Sequence, residues 1–280
     1  MSTTPEGLSA STSEALPATT SPVQVRRWRD GRIEPADDVV AEEQPVQLSY
    51  QGIPHVVLLA TPADLEDLGV GFTLTEAIVG RADEIRSVEL KRPGGTLEVR
   101  IDIAPDRFSE VLKRQRNLTG RTGCGVCGAE TIEQAIRRPP PVGKGLRVTV
   151  AELDAVVGEL ASRQPLNGLT GSVHAAAWVV PSSGIQLVRE DVGRHNALDK
   201  VIGALLREGT DPAAGYLVVT SRASYEMVQK SATAGVSLLA AVSAPTALAI
   251  RLAEDCGMTL VGFARKRQHV VYAHGRRLDG

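Results

Sequence analysis

From Thr149 to His274 the chain alternates helical and extended segments too regularly for a purely helical or purely stranded domain. Helical spacing of apolar residues covers 151–162, 196–207, 225–234 and 246–255. Short apolar or β-branched runs cover 173–180, 185–189, 216–220, 237–242, 259–264 and 269–274. Repeated strand–helix units of this kind predict an α/β layer structure with a substantially parallel sheet. In such sheets, ligands gather beyond the carboxyl ends of the strands. The segments that follow the strands carry Arg189-Glu190-Asp191 with Arg194 and His195, then Ser221, Arg222 and Ser224, then Ser243 and Thr246, and finally Arg265-Lys266-Arg267. Ser224 and Pro245-Thr246 fall at helix starts, where free N–H groups and hydroxyls suit phosphate oxygens. Helix capping accounts for each hydroxyl taken singly, and solvation for each cation. Their convergence on one sheet edge is what points to an anionic, nucleotide-like ligand. His174 and His195 stay open between a structural role and a functional one.

The preceding half has a different pattern. Strands are expected over 23–29, 46–50 and 53–60, a helix from Thr61-Pro62 to about Val79, and a second hairpin of 87–91 and 96–103 around Pro93-Gly94-Gly95. A helix over 106–118 turns Phe108, Val111 and Leu112 inward and Lys113, Arg114 and Arg116 outward. The halves meet at Arg138-Pro139-Pro140-Pro141 and the glycines to Gly145, a mix that neither helix nor strand tolerates. The expected division is a disordered Ser/Thr/Pro-rich tail over 1–22, an α+β domain over 23–120, a loop, helix and linker over 121–145, and an α/β domain over 146–280.

Between the halves lies Gly120-Arg121-Thr122-Gly123-Cys124-Gly125-Val126-Cys127-Gly128, which holds two of the three cysteines in the sequence. So glycine-rich a stretch cannot build a core, and its purpose reads as sulfur chemistry. A helix is expected at once after it, over Ala129 to Ile136, with Ile132 and Ile136 on one face. Its N-terminal dipole and the nearby Arg121 favour a thiolate at Cys127. Three cysteines make no disulfide framework and fit a reducing compartment, which predicts the cytoplasm. Residues 1–22 carry no Lys or Arg and lack the regions of a secretory signal, and no run approaches the roughly 20 apolar residues of a membrane span. A net charge of −2 gives no global basic field for nucleic acid.

A Cys-x-x-Cys pair is also half of many zinc sites, but no second pair completes it here. A zinc deaminase needs His-x-Glu ahead of Pro-Cys-x-x-Cys. In this chain His174-Ala175-Ala176 follows the cysteines and holds no glutamate, so that chemistry is disfavoured and no metal is expected. A thioredoxin-like site is disfavoured too, because the pair sits in a glycine loop before a linker rather than in the strand–helix turn of an early βαβ unit. Cys256, in an apolar setting, reads as an inert buried thiol.

The chain resembles the FdhD/NarQ family of sulfur carrier proteins required for active formate dehydrogenases. The resemblance covers about Val23 to Tyr272. It rests on Thr61-Pro62 with Gly71-Phe72, on Gly120-Arg121 through Gly128, and on Gly171 to Ala177. Further blocks are Glu190 to Ala197 with Asp199-Lys200, Ser221-Arg222 with Ser224 and Glu226, Ser243 to Thr246, and Gly262-Phe263 with Arg265. One departure is Thr73-Leu74-Thr75-Glu76-Ala77, where the family reads Leu and then Glu-Gly, with an effect expected on a helix face rather than on the site. The resemblance implies a homodimer whose C-terminal part has a cytidine deaminase-like three-layer fold without the zinc machinery. It also implies a sulfurtransferase that takes persulfide sulfur from a cysteine desulfurase on Cys124, with Cys127 as its companion. That sulfur would pass to the molybdenum or tungsten cofactor, in its bis(molybdopterin guanine dinucleotide) form, which formate dehydrogenase then receives. By the family pattern Phe263, Ala264, Arg265, Lys266, Arg267 and Gln268 bind that cofactor, and Arg222, Ser224 and Thr246 are further candidates. The competing expectation is a cofactor-binding chaperone whose cysteines only stiffen the loop.

Overall fold

The computed structural model describes residues 18–116 and 137–279. Cys124, Cys127 and the helix expected after them lie outside the described residues, as does the tail up to residue 17. Thr20–Pro22, assigned to the tail on composition, instead open strand β1 (Thr20–Arg29). This strand pairs in antiparallel fashion with β2 (Arg32–Ala41), which the sequence pattern did not single out because its charges interrupt any alternation. The ribbon is a sheet of its own, and its far end leaves Trp28 and Ile33 exposed side by side.

A four-stranded sheet follows, in the order β4–β3–β6–β5. Its strands are β3 (Gln44–Tyr50), β4 (Ile53–Ala60), β5 (Ile85–Lys91) and β6 (Leu97–Ile103), with β3 parallel to β6 and the other pairs antiparallel. The period-two pattern Val46, Leu48, Tyr50 faces the core, and all three are fully buried. Between β4 and β5 runs helix α1 (Leu65–Thr75), shorter than the pattern suggested because Ala77 turns left-handed at φ 50° and ends it. Helix α2 (Pro105–Arg116) buries Val111 as expected.

The second half contains β7 (Val148–Thr149), α3 (Val150–Leu160), α4 (Pro165–Thr170), β8 (His174–Val180), β9 (Gly184–Asp191) and α5 (Arg194–Arg207). After these come β10 (Tyr216–Val219), α6 (Tyr225–Thr233), β11 (Leu238–Ala241), α7 (Ala247–Cys256), β12 (Thr259–Arg265), β13 (Gln268–Ala273) and β14 (Leu278–Asp279). Six strands form one sheet in the order β13–β12–β11–β10–β8–β9. Only β10–β11–β12 are parallel. The hairpins β8–β9 and β12–β13 make both ends antiparallel, which corrects the expectation of a substantially parallel sheet. Tight hairpin connections force antiparallel neighbours, whereas the crossovers through α6 and α7 permit parallel ones.

The six-stranded sheet is buried on both faces. Val179, Val218 and Val261 pack with Leu153, Val156 and Leu160 of α3 on one side. On the other, Trp178, Leu217 and Leu239 join a cluster that includes Val201 and Ile202 of α5 and continues without interruption to Leu48, Val99 and Ile101 of the four-stranded sheet. The two halves therefore share one core. Their closest approach is α1 against α5: a Cβ on Gly71 would lie 1.8 Å from the Asp199 carbonyl oxygen, and one on Gly203 would lie 1.8 Å from that of Asp67. Only glycine allows the two backbones to touch at these points.

Candidate functional site

The parallel run β10–β11–β12 sends three loops to one edge, and the antiparallel β8 and β9 bring the start of one strand and the end of the other to that same edge. The loops are joined through their backbones. Thr246 N donates to the Ala223 oxygen at 3.0 Å, and Phe263 N donates to the Ser243 oxygen at 3.1 Å. Gly262 lets this happen, because a Cβ there would meet Pro245 Cδ at 2.7 Å. The chain then bulges between Gly262 and Arg265, and Phe263 takes φ 50°, a left-handed conformation that an aromatic residue rarely adopts. The Arg265 guanidinium lies over the Phe263 ring, 5.9 Å from its centre.

The residues singled out in the sequence do not share one fate. Arg265, Lys266, Arg267 and Gln268 form the exposed β12–β13 turn, Phe263 is half-buried beneath it, and Ala264 points into the core and offers only its backbone. Arg222 is exposed on the neighbouring loop. Thr246 Oγ1 accepts from Ala249 N at 3.3 Å, so its hydroxyl already caps α7. Ser224 stands at the same position of α6 without making the capping bond, and its buried Oγ has no partner among the described residues.

Other polar residues near this edge are consumed by the fold. Arg189 grips Asp67 through two hydrogen bonds of 2.9 and 3.0 Å. Glu190 accepts from Leu166 N and Asn167 N at the start of α4. Asp191 is fully buried and pairs with Lys200 at 2.6 Å while accepting from Thr61 N at 3.0 Å. Thr61 oxygen in turn accepts from Lys200. These bonds anchor the edge to the first half of the chain.

His195 Nε2 lies 2.9 Å from Glu226 Oε2, an ion pair when the imidazole is protonated, and this contact holds the Glu226 carboxyl below the usual glutamate range. His174 opens β8 opposite Asp191. Burial pushes its imidazole below the usual histidine range, and the positive charge of Arg194 and His195 pushes the same way. The pairing of His195 with Glu226 was not read from the sequence. No local pattern announces it, because the two residues lie 31 positions apart on different helices.

Lys230 reveals a second unforeseen cluster. Its Nζ lies 2.9 Å from Asp199 Oδ2 and 2.8 Å from Glu76 Oε1, and it bonds Thr75 Oγ1 at 2.9 Å. Burial alone would lower the Lys230 pKa, but Asp199 and Glu76 outweigh it and keep the ammonium charged. Burial likewise pushes Glu76 up, while Lys230 and Arg137 pull it below the normal range. Arg137, the first described residue after the cysteine segment, pairs with Glu76 at 2.9 Å, and its carbonyl accepts from the Tyr225 hydroxyl. The cluster thus ties the root of that segment to the first turn of α6. Within Thr73–Ala77 it is Glu76, where this chain keeps the glutamate of the family pattern, that takes part in this tie. Cys256 is buried, and burial raises its thiol pKa, in keeping with an inert thiol.

Comparison with known proteins gives three findings. The profile of the FdhD/NarQ family matches residues 41–279. The sulfur carrier protein FdhD of Cupriavidus necator is 50% identical over 275 residues, covering 98% of this chain and 96% of that protein. Its namesake from Xanthomonas euvesicatoria pv. vesicatoria is 53% identical over 257 residues, covering 91% of each. A crystal structure from Desulfotalea psychrophila, of a protein provisionally described as a formate dehydrogenase accessory protein, superposes with a TM-score of 0.74 at 24% identity. It covers 93% of this chain and 99% of its own, and it bears on the fold alone. Among the described residues, no helix is long and apolar enough to cross a membrane.

Proposed function

The chain belongs to the FdhD/NarQ family, and on that premise we propose that it is a sulfur carrier serving formate dehydrogenase. In this reading Cys124 accepts sulfur from the persulfide of a cysteine desulfurase. The Cys124 thiolate attacks the outer sulfur, the donor S–S bond breaks, and the donor cysteine leaves as a thiolate. The carried sulfur is destined for the bis(molybdopterin guanine dinucleotide) cofactor, which is the substrate here, and the protein acts as a sulfurtransferase. The strand order β9–β8–β10–β11–β12–β13 supports reading the second half as a deaminase-like layer put to this use. A homodimer in the cytoplasm completes the proposal.

The observation that carries the reading is the β12–β13 turn. Arg265, Lys266 and Arg267 project from a bulged strand end and form no ion pair among the described residues, on the same sheet edge as a Ser224 hydroxyl left without a partner. Strained backbone at a strand end, as at Phe263, is a feature that folds retain where it serves a ligand. Cations without partners and a free hydroxyl fit the phosphates of a guanine dinucleotide. The tie at Arg137 supports delivery to this place. Arg137 lies ten positions after Cys127, a span of at most about 35 Å even when fully extended.

The experiment is the intact mass of the purified chain after incubation with a cysteine desulfurase and cysteine, compared with Cys124→Ala and Cys127→Ala. A reducible gain of one sulfur that is lost in Cys124→Ala is the expected result. Absence of any gain in the native chain, with guanine nucleotide still bound, would leave a cofactor chaperone instead.

A further inference from the structure

The ribbon β1–β2 is a sheet of its own, and a two-stranded ribbon is at best marginally stable in water unless something packs on it. All but its last residue precedes Ala41, where the match to the family profile begins. Its register sorts the side chains onto two faces. Trp28 and Ile33, Gln24 and Asp37, and Pro22 and Val39 are cross-strand pairs on one face, with Arg26 between the first two pairs. Of these residues only Val39 is partly covered. At the tip, Trp28 is 69% exposed and Ile33 56%. Toward the base, Pro22, Val39 and Leu169 of α4 line an open groove of about 520 Å³ together with Gln24 and Asp37. Charge is divided in the same way. Arg26, Arg27, Arg29 and Arg32 crowd the tip, whereas Asp37 and Asp38 lie nearer the base. Arg27 and Asp38 pair with each other at 3.8 Å. Arg26 and Asp37 form no ion pair among the described residues, and Asp37 accepts only from the Gln24 side chain.

We propose that this ribbon face binds the same face of a second copy of the chain, antiparallel about a two-fold axis beside Val25. An axis there sets position 28 against position 22, and position 26 against position 24 with its cross-strand partner Asp37. The Trp28–Ile33 tip of each copy then enters the Pro22–Val39–Leu169 groove of the other, and Arg26 meets Asp37 of the other copy. On one ribbon, tip and groove are six residues apart, about 20 Å, so the two contacts do not compete for space. Each contact occurs twice, as an isologous interface requires, and the pair closes on itself. Burial of Trp28 and Ile33 supplies the apolar gain, and the Arg26–Asp37 pairs fix the register. A parallel arrangement would set Arg26 against Arg26 and Asp37 against Asp37, which like charge opposes. An anionic lipid surface would suit the arginines at the tip but leaves the groove and Asp37 unused. The homodimer of the sulfur-carrier reading, on which this assignment rests, thereby gains an interface.

The test is sedimentation velocity of the full chain over a concentration series, for the native protein, for Trp28→Ser, Arg26→Asp and Asp37→Arg, and for an equal mixture of the last two. The native chain should sediment as a dimer. Arg26→Asp and Asp37→Arg should each weaken that dimer about tenfold or more, because each sets like charges together at both symmetric contacts. Their mixture should dimerise as the native chain does, since a heterodimer of the two restores an opposite pair at both contacts. Trp28→Ser should weaken the dimer without rescue by either partner. All variants should keep the native circular dichroism, because the altered side chains are exposed. A dimer indifferent to all three substitutions would overturn the ribbon interface and leave the homodimer reading standing. Weakened dimers that mixing fails to rescue would overturn the register. A native chain that is monomeric throughout, yet gains sulfur from a cysteine desulfurase, would overturn the interface and the homodimer but leave the carrier reading. Monomers that co-sediment with phosphatidylglycerol vesicles through Trp28 would overturn the pairing and give the tip to a lipid surface.

Discussion

Arg277 shows how a single buried cation can be satisfied without a carboxylate. Its guanidinium donates to three carbonyl oxygens and to Thr259 Oγ1 at 3.1 Å, and so pins the proline-rich linker to the end of the chain. Arg277→Ala strands those carbonyls and should cost about 3 kcal/mol or more, read by chemical denaturation. Ala77 is the opposite case. It is exposed yet held at φ 50°, which is strained for any residue with a Cβ, and it occupies the position where the family pattern has glycine. Ala77→Gly should raise stability by about 1 kcal/mol, a melting-temperature gain of roughly 2 °C. Phe263 carries similar strain, but its ring also lies against the Arg265 guanidinium, so relieving the strain there would cost that contact.

At the scale of elements, the decisive contact is between α1, α5 and α6. Glycines 71 and 203 bring α1 and α5 into backbone contact, and the Lys230–Asp199–Glu76 cluster then fixes α6 to both. Burial on its own favours a neutral Asp199, so this cluster stabilises the fold only while Lys230 faces it. Lys230→Met should destabilise the protein by about 3–5 kcal/mol, because buried Asp199 is left without its cation and Glu76 keeps only Arg137. Lys230→Met combined with Asp199→Leu should recover much of that loss. A double-mutant cycle in denaturant checks both, and purely additive losses would contradict the pairing. Helix spacing announced each of these helices in the sequence, but not which lysine would be buried, since a polar residue among apolar ones is equally readable as a solvated stripe.

For the whole molecule, acid should weaken the fold in two stages. His174 has a lowered folded pKa, so the unfolded chain binds its proton first. Stability is then full above the unfolded value of about 6.5 and declines as pH falls from there toward the folded value. Glu76 and Glu226 have lowered carboxyl pKa values, so their share is present above the ordinary glutamate value of about 4.3 and is lost as pH falls below it. Melting temperature measured from pH 8 to pH 3 should fall steadily, and a rise on acidification through pH 6 would contradict the His174 assignment. By itself the sequence determined the succession of strands and helices after Thr149 except for the short α4 and β14, because apolar period and strand-end turn residues are local signals. It also placed Ser224, Thr246 and the Arg265–Arg267 turn at strand ends that prove to share one edge. Tertiary structure alone decided which of the polar strand-end residues are spent. Arg189, Glu190 and Asp191 bind partners 23 to more than 100 residues away in the chain, while Arg194, three positions on from Asp191, binds none among the described residues. Whether a charge is satisfied depends on what long-range packing brings within about 3 Å of it, and no local pattern encodes that.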